Sequence, residues 1–317
     1  MDIPMSNNAP AKKPLKKIAI STALQVSRLC MRLPISGDKK LKIMGPFISR
    51  YLSWRSDTFW ARTRFGAKLL CRPSDVIQFK LLYFGVWEPN LTAFLQHRLR
   101  PGDGFVDAGS NIGYYSLLAS KCVGPKGHIV AIEASPKIFS ALQKNLNANH
   151  CQNVRAVNVA ISNRKGTLRL FSGSSDNIGR TSVMASRGLA FETEVPADRL
   201  EAVLLPEEIK TARLIKIDVE GAEALVLETI LENLERYRRD VEIVVEINPP
   251  EVLEHGTTAE KIISQFADAG FHAYHLPNDY STAAYVNGRP ILPPKRLLSH
   301  LVAMMDIVFS RIDAEQL

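Results

Sequence analysis

The chain is 317 residues long, 46% hydrophobic and 23% charged, a balance that supplies a full buried core and excludes a disordered or low-complexity protein. Its net charge of +8 is gathered into residues 1–64, where thirteen Lys or Arg stand against three acids; the remainder is slightly acidic, lacks the basic character of a nucleic-acid reader, and makes nucleic acid an unexpected partner. No stretch reaches the roughly 20 apolar residues of a membrane span, and Cys30, Cys71, Cys122 and Cys151 show no C-x-x-C spacing, which speaks against a zinc site or disulfide framework and for a reducing, cytoplasmic setting.

Residues 1–14 are polar and Pro-rich and read as a disordered tail. Leu15 to Leu33 reads as a basic, mildly amphipathic helix carrying Lys16, Lys17, Arg28 and Arg32. Packing as a solvated helix on its own domain is the weightier reading, and weak peripheral contact with an anionic membrane surface is the alternative. Ile18 to Val26 resembles a weak signal sequence, but Ser21, Thr22 and Gln25 interrupt it and export is not expected. Residues 1–60 are thus taken as a basic N-terminal extension and 61–317 as one catalytic domain.

A β-hairpin is predicted from Trp60 to Arg72 and a helix from about Ser74 that reaches Phe84-Gly-Val-Trp-Glu88-Pro89-Asn90. Glu88 precedes a proline and therefore stands outside the helix that follows, which places Leu91, Phe94, Leu95 and Leu99 on one face. Strand and helix patterns then alternate. Strands are predicted at 105–107, 128–133, 154–159, 213–217, 241–247, 271–276 and 303–309, with helices at 111–121, 136–148, 222–234 and 258–269. That rhythm predicts an α/β fold with a doubly wound, mostly parallel sheet of seven strands, the last of them an antiparallel edge strand. Two extra strands, Thr167–Phe171 and Phe191–Val195, break the rhythm, and the polar loop Gly173–Ser182 between them is a candidate lid over a substrate or cofactor.

The stretch Phe105–Ser120, FVDAGSNIGYYSLLAS, predicts strand, tight loop and helix. Its spacing is D-x-G-x-x-x-G rather than the G-x-G-x-x-G of a dinucleotide site; Gly109 permits close backbone approach, Gly113 permits close packing of the helix start against the strand, and Asp107 at the strand end would repel a phosphate and attract an amine. Glu133 ends the next strand 26 residues on, where an α/β nucleotide site uses an acid to accept two ribose hydroxyls. A cationic nucleoside with an amino-acid end and no phosphate describes S-adenosylmethionine (SAM).

With DAGSNIGYYSL, Glu133 and IKIDVEGAE (Ile215–Glu223) in view, the chain from about Glu88 to Phe309 resembles the FkbM family of SAM-dependent methyltransferases. The resemblance implies a class I, Rossmann-like methyltransferase fold; residues 1 to about 60, read as an N-terminal helical extension, lie outside it. It implies that Asp107, Gly109, Ser110, Asn111 and Gly113 surround the methionine part of SAM, that Glu133 holds the ribose, and that Ala160 and Ile161 lie near adenine. The Glu88-Pro89 pair matches the family's E-P ahead of the first strand and makes Glu88 a candidate for acceptor binding. Where the family usually shows F-E-P, this chain reads Ile132-Glu133-Ala134 and keeps the acid. The implied activity is O-methylation of a hydroxyl on a small-molecule, polyketide-like or carbohydrate acceptor.

Asp218 ends the fourth strand and, with Glu220, lies at the sheet edge where ligands bind, so both are candidates for taking the acceptor's proton. Asp218, Glu246 and Asn248 would also give an oxygen-rich set for Mg²⁺, although hydrogen-bonded networks of this kind commonly hold no ion and a metal is not favoured. Glu223 reads as an acid at a helix N-terminus. His275, at a strand end before a loop of small and polar residues, is the histidine to test as base, while His255 and His272 read as structural. Asn248-Pro249-Pro250 follows the fifth strand and continues into Glu251, which reads as a turn rather than an amine-methylating motif. The rival readings are a nicotinamide-dependent oxidoreductase, opposed by Asp107, and a nucleic-acid methyltransferase using the basic arm. The oligomeric state is not set by the sequence.

Overall fold

The computed structural model describes residues 57–172, 181–182, 189–287, 290–298 and 303–317, with scattered positions between 22 and 42. Residues 173–180 of the candidate lid and most of the basic stretch at 15–33, Lys16, Lys17, Arg28 and Arg32 among them, lie outside the described residues.

The chain opens with the hairpin β1 (Phe59–Arg62) and β2 (Lys68–Cys71), antiparallel as predicted, then α1 (Val76–Phe84) and α2 (Pro89–Arg98). The alternating part follows: β3 (Gly104–Ala108), α3 (Tyr114–Val123), β4 (His128–Ile132), α4 (Pro136–Ala148) and β5 (Val154–Val157). An inserted four-stranded sheet takes β6 (Ala160–Ile161), β7 (Gly166–Ser172), β8 (Thr181–Ser182) and β9 (Ala190–Asp198). Then come the short helices α5 (Leu200–Val203) and α6 (Pro206–Thr211), β10 (Ala212–Ile217), α7 (Glu223–Glu232), β11 (Glu242–Ile247), α8 (Pro249–Glu254), α9 (Ala259–Asp268) and β12 (His272–Leu276). The chain closes with α10 (Thr282–Asn287), β13 (Lys295–Arg296) and β14 (Met305–Ser310).

All seven predicted strands join one sheet, in the order β13-β12-β14-β11-β10-β3-β4-β5. The expectation of β14 at the edge is corrected: β14 is inserted between β11 and β12, antiparallel to both. Its Ile307, Val308 and Phe309 are fully buried, and an edge position would leave that continuous apolar run half solvated. The edges are β5 and the two-residue β13.

Period-two alternation assigns the two faces. Phe105 packs with α3, α4 and the hairpin on one side, and Val106 and Ala108 pack with α7 and α9 on the other. Asp107 shares the face of Phe105 but stands at the carboxyl end of the strand. The parallel strands β3, β4, β10 and β11 all end at that edge, so the side chains following them meet in one place.

Candidate active site

The loop after β3 is shaped by three left-handed residues, Gly109 (φ 81°), Asn111 (φ 49°) and Gly113 (φ 91°), so α3 begins at Tyr114 and not at 111. A Cβ on Gly109 would lie 1.7 Å from the carbonyl oxygen of Asp218, so glycine is required because two loops cross there. A Cβ on Gly113 would lie 2.6 Å from Leu142 Cδ1 of α4, so the glycine admits the packing of α4 rather than of the strand, which corrects the packing expected of it. Ser110 is buried and bonds the carbonyl of Ile132 through both its amide and its hydroxyl, so it anchors the loop.

A cleft of about 680 Å³, part of it open to solvent, collects Gly109, Asn111, Glu133, Ala160, Ile161, Asp218 and Glu220. Glu133 points its carboxylate back at the loop, accepting from the amides of Asn111 and Ser135 at 2.9 Å each. Burial pushes its pKa up to about 7 against the pull of those two amides. Each oxygen keeps a lone pair for a ribose hydroxyl. Asp107 is fully buried; Oδ2 accepts from Ser116 at 2.5 Å and Oδ1 has no hydrogen-bond partner among the described residues. An orphaned buried carboxylate oxygen beneath the loop fits the ammonium of SAM, and the residues present suit that cofactor. Ile77, Ile138, Val159 and Leu170 supply apolar walls for an adenine, and none of them belongs to a pattern that sequence alone marks.

Beside the cleft lies a cluster of acids around one lysine. Lys216 points from β10 into this region and is 5% exposed, with Nζ 2.9 Å from Asp218 Oδ2 and 5.2 Å from the Tyr115 ring centroid. It stands in register with Asp107 on β3. Although burial opposes its charge, Asp218, Asp107 and Glu88 together hold its pKa well above the ordinary lysine value. Glu88 caps α2 with a left-handed backbone (φ 40°); its carboxylate is buried and accepts from the hydroxyls of Tyr115 and Tyr280, the latter at 2.9 Å. Burial, then the nearby Asp306, pushes Glu88 up to about 8. Asp306 on β14 accepts from Asn278 at 2.6 Å and is raised to about 6, chiefly by burial. Glu246 lies directly across the strand pair from Asp306 and is raised to about 9 by burial and then by the charge of Asp218.

Two predicted site residues are not brought in. His275 is half-buried on β12, its pKa is lowered by burial alone, and none of the cluster acids acts on it. Asn248 precedes α8 and donates to Glu251 in that helix's first turn; the turn expected at Asn248-Pro249-Pro250 is corrected, since the two prolines begin a helix. Among the described residues no group of three or more His, Cys, Asp or Glu is arranged to hold a metal ion, and Lys216 already occupies the cationic position beside Asp218. Glu223 begins α7 and accepts from the amides of Val219 and Gly221, fixing the loop in which Glu220 takes a left-handed φ of 55°. Sequence reasoning missed Lys216, Asn278, Tyr280 and Asp306. Lys216 stood within the IKIDVEGAE motif, a lysine between two isoleucines at the end of a strand; the other three carry no local signal.

No helix among the described residues is long and apolar enough to cross a membrane. Comparison with known proteins agrees with this geometry. The chain is 29% identical over 154 residues to methyltransferase sdnD of Sordaria araneosa, covering 39% of this chain and 59% of that protein. It is 29% identical over 147 residues to methyltransferase 1 of Beauveria bassiana, covering 40% and 58% respectively. It thus spans less than two thirds of the length of either relative. A solved FkbM methyltransferase from Methylobacillus flagellatus aligns at 12% identity with a TM-score of 0.40, over 74% of this chain and 52% of that one. The Methyltransferase FkbM domain matches residues 107–273, more than half of the chain and the whole span from Asp107 through Glu246. The chain therefore belongs to the FkbM family of SAM-dependent methyltransferases.

Proposed function

We propose that this protein is an O-methyltransferase that methylates a hydroxyl of a small-molecule or carbohydrate acceptor. One observation carries the reading: Asp218 lines the cofactor cleft and at the same time forms the edge of the Lys216 cluster, so a single carboxylate adjoins both the donor and the space where an acceptor enters. SAM, when bound, supplies a methyl group activated by its sulfonium. The chain has to hold donor and acceptor in line and remove one proton from the acceptor oxygen. In this reading Glu133 grips the ribose, Asp107 faces the ammonium, and Ala160 and Ile161 border the adenine.

Asp218 takes the acceptor's proton, with Lys216 fixing its position through the 2.9 Å ion pair, and Glu220 lines the cleft beside it. Glu88 and Asp306, with the hydroxyl of Tyr280, supply hydrogen-bonding groups for the rest of the acceptor. A divalent ion at Asp218 and Glu246 would have to displace Lys216 and is not part of the reading.

The test is to incubate the purified chain with methyl-labelled SAM and an extract of the source cells, then identify labelled products by mass spectrometry. Label on oxygen, absent with Asp218→Asn, is the expected result; label on nitrogen or carbon, or no transfer at all, overturns the reading.

A further inference from the structure

Next to the cofactor cleft, and sharing Asn111 and Ile138 with it, a second cavity of about 1010 Å³, partly open to solvent, lies between the β1–β2 hairpin and α4. Its charged lining consists of Arg72, Lys137 and Lys144, with no acid among the lining residues. Lys137 and Lys144 are exposed and Arg72 is part-buried, and none of the three makes an ion pair with a described residue. Unpaired like charges around one concavity repel one another, and an anion between them relieves that repulsion.

The spacing narrows the anion. Lys137, Ser140 and Lys144 share one face of α4, with the lysines two turns apart, about 10 Å along the axis. Arg72, just past β2, lines the same cavity from the hairpin, and a guanidinium offers forked donors to phosphate oxygens. Three cationic heads, two from α4 and a guanidinium from the other wall, suit two linked phosphates better than one. The acids of the Lys216 cluster do not line this cavity.

We propose that this cavity binds a diphosphate, at a site separate from the methyl donor and independent of which acceptor is methylated. The diphosphate is either free or carried by a nucleoside, and the two sources share the same recognition.

Titration calorimetry on the full chain at low salt tests this with three probes: inorganic phosphate, inorganic pyrophosphate and uridine diphosphate. Pyrophosphate should bind at least about tenfold more tightly than phosphate, and Arg72→Ala or the double variant Lys137→Ala/Lys144→Ala should each weaken pyrophosphate by about tenfold or more. The control Lys126→Ala and the cofactor-site variant Glu133→Gln should leave pyrophosphate binding unchanged. Uridine diphosphate binding more tightly than pyrophosphate supports a nucleoside-borne ligand, and equal affinity supports the diphosphate alone. The proposal is overturned if pyrophosphate gives no binding, if all variants bind it as the parent does, or if Arg72→Ala loses SAM affinity in step with pyrophosphate, which would make the cavity an arm of the cofactor site.

Discussion

Glu246 on β11 and Asp306 on β14 face each other across an antiparallel strand pair, two carboxyl groups where a sheet ordinarily sets unlike partners. They coexist because burial, with the charges of Asp218 and then Asp306 added, raises Glu246 to about 9 and keeps its proton on at neutral pH, while burial and the charge of Asp218 raise Asp306 only to about 6. A raised folded-state pKa means the native chain holds protons that the unfolded chain releases. The stabilisation is complete below the unfolded value near 4.5 and is lost as pH climbs through about 9 for Glu246. Glu246→Gln should therefore flatten the alkaline decline, gaining about 1–3 kcal/mol at pH 8.5 and little at pH 5, as measured by urea unfolding at the two pH values. An unchanged alkaline slope would place the proton elsewhere.

Lys216 is the counterweight to this cluster. Lys216→Met removes the cation facing Asp218 and Asp107 and should cost about 3–5 kcal/mol of stability, chiefly because the fully buried Asp107 loses its counter-charge, whereas Asp218 is partly exposed and screened by solvent. Adding Asp218→Asn should recover part of that loss. A double variant as unstable as the sum of the two single ones would show that the two groups do not interact.

Glu133→Ala should weaken SAM by about 1–3 kcal/mol in calorimetry, with the fold retained. Because the ionised form accepts both ribose hydroxyls and the free carboxyl titrates at about 7, SAM affinity should also fall as pH drops from 8 to 6. The alanine variant should lose that dependence.

Asp218→Asn keeps size and removes charge. Methyl transfer should drop by about 10²–10⁴-fold while SAM affinity changes little, because proton removal contributes on that scale. Chelation with EDTA distinguishes the roles: indifference of the parent enzyme supports a base, and loss restored by Mg²⁺ would make Asp218 a metal ligand.

Gly109→Ala places a Cβ into the backbone of Asp218 as well as demanding a left-handed alanine at φ 81°. The expected outcome is loss of SAM binding together with a lowered unfolding midpoint. A sequence-only view, which blames collision with the cofactor, predicts the first effect without the second, and thermal unfolding of the ligand-free variant tells them apart.

The parallel core was legible because its signals are local. Phe105-Val-Asp107 and Ile215-Lys-Ile217 announce strands by their apolar runs and announce the ligand edge by the acids that end the first and follow the second. The cofactor cleft was legible for the same reason, since Gly109, Asn111 and Glu133 all sit in the turn directly following a strand. The position of β14 was not, because nothing in Met305–Ser310 states which two strands it will separate. Tyr280 and Asp306 were hidden too: they reach Glu88 from about 190 and 220 residues away in the chain, through contacts that exist only after the sheet has assembled.

The two halves of the site have different addresses in the chain. Asp107 through Glu246 fall inside the 107–273 match, whereas Glu88 precedes it and Asn278, Tyr280 and Asp306 follow it. In this arrangement the donor side, apart from Ile77 of α1, is one block and the far wall is assembled from its two flanks. If the flanks form the acceptor wall as proposed, recombination at two junctions, one before β3 and one after β12, would exchange that wall and keep the parallel core, a short genetic route to new acceptors.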